Sequence, residues 1–196
     1  KKKKKAKEEL DKKYPTYHQS RLAHRKKKED AGQKGTDVHS MIENWITVAI
    51  ANNEGMFIDK MPELSEDKEA KQLINFWNWA SSNKVKFLES EKRMYSEKHW
   101  IAGTCDFTCE INGKRYVGDI KTSSGIYDRT PHFQIAGYRM MLEELGEKDY
   151  MGSVIVSIKK DGTFNQDKDV YWSFDYQTDL DGFLAALQLY RILKNY

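Results

Sequence analysis

Asp106, Asp119 and Lys121 are of the residue types that hold a cation and act on a phosphate, and the Asn112-Gly113 pair between them sets their spacing. Asn-Gly between two alternating segments predicts a two-residue type I′ turn, because both central positions of that turn need positive φ. Ile111 then pairs with Lys114, and the same register carries Asp106 opposite Asp119 and Thr104 opposite Lys121. Directly opposed residues have Cβ atoms about 4.5–5.5 Å apart, so two carboxylates there repel unless something offsets their charge. A hard divalent cation such as Mg²⁺ or Mn²⁺ prefers oxygen ligands and would do so. A lysine one pleat further on the same face could orient a water or stabilise charge on a phosphate. The other reading of the same residues is an exposed strand face with two unrelated aspartates and a solvated lysine. Cys105, Phe107, Cys109, Tyr116 and Ile120 are expected to point the other way, toward a core.

The elements that must position these residues are legible in the apolar pattern. Thr36 is a candidate N-cap for a helix on which Val38, Ile42, Trp45, Ile46, Ala49 and Ile50 recur at helical spacing. A second helix is expected from about Glu66 to Ser81, with Ala70, Leu73, Ile74, Trp77 and Ala80 as its buried stripe and Asn83 at its end. From Lys84 the period changes to two, so Val85 and Phe87 begin a strand that Glu91 to Tyr95 continues. The hairpin arms are Thr104 to Ile111 and Lys114 to Thr122. Thr130-Pro131 supplies an N-cap and a proline for a helix that runs to about Leu145 and stops near Gly146. Met151 to Lys159 and Val170 to Phe174 read as strands around Asp161-Gly162, and a closing helix covers about Thr178 to Lys194. Its stripe of Phe183, Leu184, Leu187, Tyr190 and Leu193 is expected to pack on the sheet. The sum is an α/β domain with a mixed sheet of four or five strands, the hairpin at its middle and helices on both faces.

Composition limits what such a domain can be. With 39% hydrophobic and 12% aromatic residues the chain is globular, and no apolar run approaches the roughly 20 residues that cross a membrane. A cytoplasmic setting without membrane partners is the expectation, since no apolar segment of a secretory signal follows the opening lysines. Residues 1–30 carry 13 Lys and Arg against 5 Asp and Glu, whereas the rest carries 20 against 25. The chain is therefore read as a basic N-terminal arm over 1–30, helical or disordered, followed by one domain over 31–196. Such an arm serves as a phosphate-binding or a merely solubilising tail. Cys105 and Cys109 are too few for an iron-sulfur cluster. Four apart on one strand, they lie about 13 Å from each other, so they cannot complete a zinc site with His39 and Glu43.

In order and spacing these residues resemble the PD-(D/E)XK nucleases, RecB-like branch. The match consists of Gly103-Thr104-Cys105-Asp106, twelve intervening residues, and Asp119-Ile120-Lys121-Thr122. Ahead of it stand Gly35-Thr36-Asp37-Val38-His39 with Glu43, and Glu91 before the hairpin; after it comes Gln134-Ile135-Ala136-Gly137-Tyr138. The resemblance spans roughly Gly35 to Leu145. It implies a restriction-endonuclease-like core and a Mg²⁺- or Mn²⁺-dependent DNA nuclease, commonly an exonuclease on DNA ends or single strands in recombination, repair or phage DNA processing. It further implies metal ligation by His39, Asp106, Asp119 and the carbonyl of Ile120, with Lys121 as the catalytic lysine. Glu91 takes the place of the upstream acidic residue. Gln134 and Tyr138 would sit beside the site and contact Lys121 or the nucleic-acid backbone, which Thr122 and Ser123 would also contact. Asp119 stands where many relatives have glutamate, and the iron-sulfur cysteines of some relatives are missing, so no cluster is expected. DNA is the implied partner, with a helicase or recombination protein as a possible second. The rival class is a non-catalytic nucleic-acid-binding module that keeps the fold. Phe76, Trp77 and Trp79 fit either base stacking or a core stripe.

Overall fold

In the computed structural model, residues 38–52, 55–56, 68–122, 125–159 and 161–194 are described. The basic arm over 1–30, Thr36 and Ser123 lie outside them.

Helix α1 covers residues 38–52 and buries Val38, Ile42, Ile46 and Ala49, the stripe expected from their spacing. Helix α2, Lys68–Ser82, buries Leu73, Phe76, Trp79 and Ala80, while Ile74 and Trp77 are only half-buried. The expected stripe is thus rotated. Phe76 and Trp79 carry the largest apolar areas, and they join Phe87 and Phe107 in one aromatic cluster with ring centroids 5.4 to 6.3 Å apart. That burial excludes Phe76 and Trp79 as base-stacking surfaces. Asn83 caps α2 by donating from Nδ2 to the Trp79 carbonyl at 2.8 Å. Lys84 then turns the chain at a φ of 50°, and the amide of Val85 returns to the Ala80 carbonyl.

Five strands follow in spatial order β1-β2-β3-β4-β5: Lys86–Ser96, Ile101–Ile111, Lys114–Lys121, Tyr150–Ser157 and Val170–Ser173. All neighbours are antiparallel except β3 and β4, which run parallel. A parallel pair needs a long crossover, here made through helix α3, Thr130–Glu144. Thr130 is the first residue of α3 rather than its cap. Arg129 holds the cap position, and the side chain of Asp128 accepts the Thr130 amide at 2.8 Å. A four-residue helix α4, Gln166–Asp169, precedes β5, and α5, Tyr176–Lys194, closes the described chain.

The sheet separates two apolar clusters. Phe107, Cys109, Tyr116, Ile120 and Val154 belong with α1 and α2; Met94, Cys105, Val117 and Ile155 belong with α3, against which Phe183 and Leu184 of α5 pack. The helices α3 and α5 meet closely because Gly137 lies under the Phe183 ring and Gly182 under the Phe133 ring. Two expectations need correction. Cys105 is buried with the α3 cluster, not with Phe107, because the alternation of β2 slips at Asp106. The neighbouring strand marks the slip: Glu91, between the pairs Ser90–Phe107 and Lys92–Cys105, has a φ of 49°. The closing helix, moreover, packs on α3 through Phe183 and Leu184, while Leu193 near its end is 70% exposed.

Among the described residues, no helix is long and apolar enough to cross a membrane.

Candidate active site

The candidate site lies where β2 and β3 part. Their ladder runs from Ile111–Lys114 through Phe107–Gly118 in the register that the Asn112-Gly113 turn dictates, with φ of 53° and 74° at the two turn residues. Gly118 has no side chain because the Phe107 ring lies over it; a Cβ there would come within 2.0 Å of that ring. Beyond this pair the ladder ends. β2 stays with β1 back to Ile101, whereas β3 stays with β4 out to Lys121–Ser157. Asp106 therefore does not pair with Asp119 strand to strand. Its Oδ2 instead accepts the Ile120 amide at 2.6 Å, a side-chain oxygen standing in for the lost backbone partner.

Asp119 is 3% exposed, and the Asp106 side chain keeps only 15% of its exposure. Burial, then the charge of Asp119, push the Asp106 carboxyl up to about 8 against the opposing pull of the Ile120 amide and Lys121. Burial likewise raises Asp119, against the attraction of Lys121 and His39. Lys121 Nζ meets Asp119 Oδ2 at 2.7 Å as an ion pair, although the angles are not those of a hydrogen bond and no other donor among the described residues reaches that buried oxygen. The same ammonium donates to Gln134 Oε1 at 3.3 Å, and Gln134 Nε2 donates to Tyr138 Oη at 2.6 Å. The i, i+4 spacing on α3 puts these two side chains on one helix face. Asp119, Lys121, Gln134 and Tyr138 thus form one polar chain from the sheet to α3.

His39, in the first turn of α1, approaches from the other element. Its Nδ1 is 3.7 Å from Asp106 Oδ2 and 3.8 Å from Glu43 Oε1. Glu91 is exposed, and burial of its carboxyl together with the nearby Glu43 charge raises it. Ile120 adjoins Asp106 through its amide, and Thr122 follows the end of β3 half-buried. The structure thus gathers His39, Asp106, Asp119, Lys121, Gln134 and Tyr138, with Glu43 and Glu91 at the margin.

Sequence reasoning missed the buried polar pins that seat the first turn of α3, which carries Gln134. Arg129 donates from Nε and Nη2 to Asp179 Oδ1 at 3.2 and 2.8 Å, and Ser173 Oγ donates to Asp179 Oδ2. Alongside them, His132 Nδ1 lies 2.9 Å from Ser153 Oγ. No motif marks these residues, because their partners are distant in the chain.

Among the described residues, no group of three or more His, Cys, Asp and Glu side chains converges as a ready-made metal cage. The donor chemistry nevertheless fits a hard divalent cation: two mutually repelling buried carboxylates, one with an oxygen that no hydrogen bond satisfies, and an imidazole nearby. In the described arrangement, the Lys121 ammonium is the countercharge to Asp119. No family model matches this chain, and no curated protein matches it.

Proposed function

We propose that the chain is a metal-dependent DNA nuclease with a restriction-endonuclease-like core of the PD-(D/E)XK kind. The observation that carries this reading is the pair of buried, repelling carboxylates with Lys121 bridging from Asp119 to Gln134. Asp106, Asp119, His39 and the Ile120 carbonyl would hold Mg²⁺ or Mn²⁺, which when bound supplies Lewis-acid activation of the phosphodiester and of water. Lys121, whose ammonium lies 2.7 Å from Asp119 and donates to Gln134, would orient the nucleophile or stabilise charge developing on the phosphate. Gln134 keeps the ammonium pointed into the site, and Tyr138 fixes the Gln134 amide. Glu91 lies next to Glu43 as an outer acidic group, and Thr122 and Ser123, next in the sequence after Lys121, would contact the substrate backbone. An exonuclease acting on DNA ends or single strands, in the cytoplasm and beside a helicase or recombination protein, is the proposed setting. With two cysteines, the chain is proposed to work without an iron-sulfur cluster.

The ion pair already formed between Lys121 and Asp119 favours one second reading, a nucleic-acid-binding module without catalysis. Labelled single-stranded DNA, duplex DNA and RNA, incubated with purified protein in Mg²⁺, Mn²⁺ or EDTA, separate the two. The nuclease reading expects cleavage of DNA that EDTA abolishes and that Lys121→Ala and Asp119→Ala lose while circular dichroism is unchanged. Undiminished cleavage by either variant overturns it, and binding without metal-dependent cutting selects the second reading.

A further inference from the structure

Trp100 is the most exposed of the large apolar side chains described, at 86%. It closes the turn between β1 and β2 at a φ of 49°, in the left-handed region that a bulky residue seldom enters. The turn is fastened on two sides: Ser96 Oγ accepts the His99 amide at 2.9 Å, and Arg191 of α5 donates to the His99 carbonyl. The ring is therefore presented outward by a pinned backbone. A cleft of about 300 Å³ opens beside it, lined by Trp100, Ile101, Leu187, Tyr190 and Arg191. Lys98 stands two positions before Trp100 in the same turn, and Lys194 Nζ lies 6.0 Å from the Tyr190 ring centroid.

The platform lines up with the candidate site. Gly103, three positions along from Trp100, lies under the Tyr138 ring, since a Cβ there would come within 2.8 Å of it. Even fully extended, three residues span at most about 10 Å, so the Trp100 backbone stays within that distance of Gly103 beside Tyr138. An exposed flat ring beside a cleft lined by Arg191, with Lys194 near the Tyr190 ring, suits unpaired bases, whose faces stack on aromatic side chains irrespective of sequence while cations follow the phosphates.

We propose that Trp100 and the adjoining cleft form a base-stacking platform for single-stranded nucleic acid, with Lys98 and Lys194 holding its phosphates. That the strand leads to the candidate site rests on the nuclease reading; the stacking itself does not. Fluorescence anisotropy in EDTA, with a labelled oligothymidylate of about 12 nucleotides and the full chain, tests it without cleavage. Trp100→Ala is expected to weaken binding about tenfold or more. Trp100→Phe keeps most of it, and Lys98→Ala lowers the salt slope by about one. Unchanged binding by Trp100→Ala, or no binding by the unaltered chain, overturns the proposal. A change in sedimentation by Trp100→Ala with intact oligonucleotide binding also overturns it and assigns the surface to a protein partner. Trp100-dependent binding together with absent metal-dependent cleavage keeps the platform and removes the nuclease reading, so the two fail separately.

Discussion

The two halves of the β2–β3 hairpin obey different rules. Near the turn, Asn112 and Gly113 adopt positive φ, every residue from Phe107 to Ile111 has its backbone partner, and Phe107 is packed into an aromatic core. Past Gly118 the strands separate, each following its other neighbour, and the fork between them holds two buried carboxylates and an ammonium. The difference teaches that a turn sets register only as far as no second partner competes. Once β4 claims β3, the groups left unpaired in the fork become available for chemistry.

The largest contrast between the halves is expected in activity. Lys121→Ala lowers metal-dependent cleavage about 10²–10³-fold, on the scale of losing one charge-stabilising donor, with little change in the unfolding midpoint. Phe107→Ala, on the regular side, does the opposite. It opens a cavity under Phe76, Phe87 and Gly118 and costs about 3–5 kcal/mol, read by urea titration.

A smaller effect separates the halves by pH. Asp106 titrates near 8 in the fold against about 4 unfolded, so between those values the folded state keeps a proton that the unfolded chain releases. The contribution of Asp106 to stability without divalent cation therefore falls as pH rises from about 4 to 8. Asp106→Asn, which keeps an acceptor for the Ile120 amide, removes that slope and melts progressively higher than the unaltered protein as pH rises. Parallel melting profiles of the two proteins from pH 5 to 9 would contradict the buried, repelling pair. The smallest effect belongs to the turn: Gly113→Ala meets no neighbouring atom and pays only for its φ of 74°, about 1 kcal/mol, with no effect on cleavage.

How much was legible in the sequence follows the same division. The hairpin, α1, the α3 crossover and the mixed sheet rest on local signals, namely Asn-Gly, apolar period and Pro131, which act over a few residues. The i, i+4 pair Gln134 and Tyr138 was readable as a helix face, and its link to Lys121 follows from where α3 lies. The hydrogen bond from Ile120 to Asp106, the left-handed Glu91 and the burial of Cys105 on the α3 side were not readable, since each results from competition between strands. The α2 stripe was misplaced because period alone ranks Ile74 and Trp77 with Phe76 and Trp79, and only contact with Phe87 and Phe107 decides between them. The last turns of α5 keep the period of a packed helix, yet among the described residues Leu193 remains largely exposed.

Calorimetric titration of Mn²⁺ at pH 7, in two buffers of different ionisation enthalpy, tests the fork as a cation site most directly. Binding there must hold Asp106 ionised, so the unaltered protein is expected to take up the metal and release about one proton, and Asp119→Asn to lose the binding. No heat of binding, or equal Mn²⁺ affinity in Asp119→Asn, would contradict it.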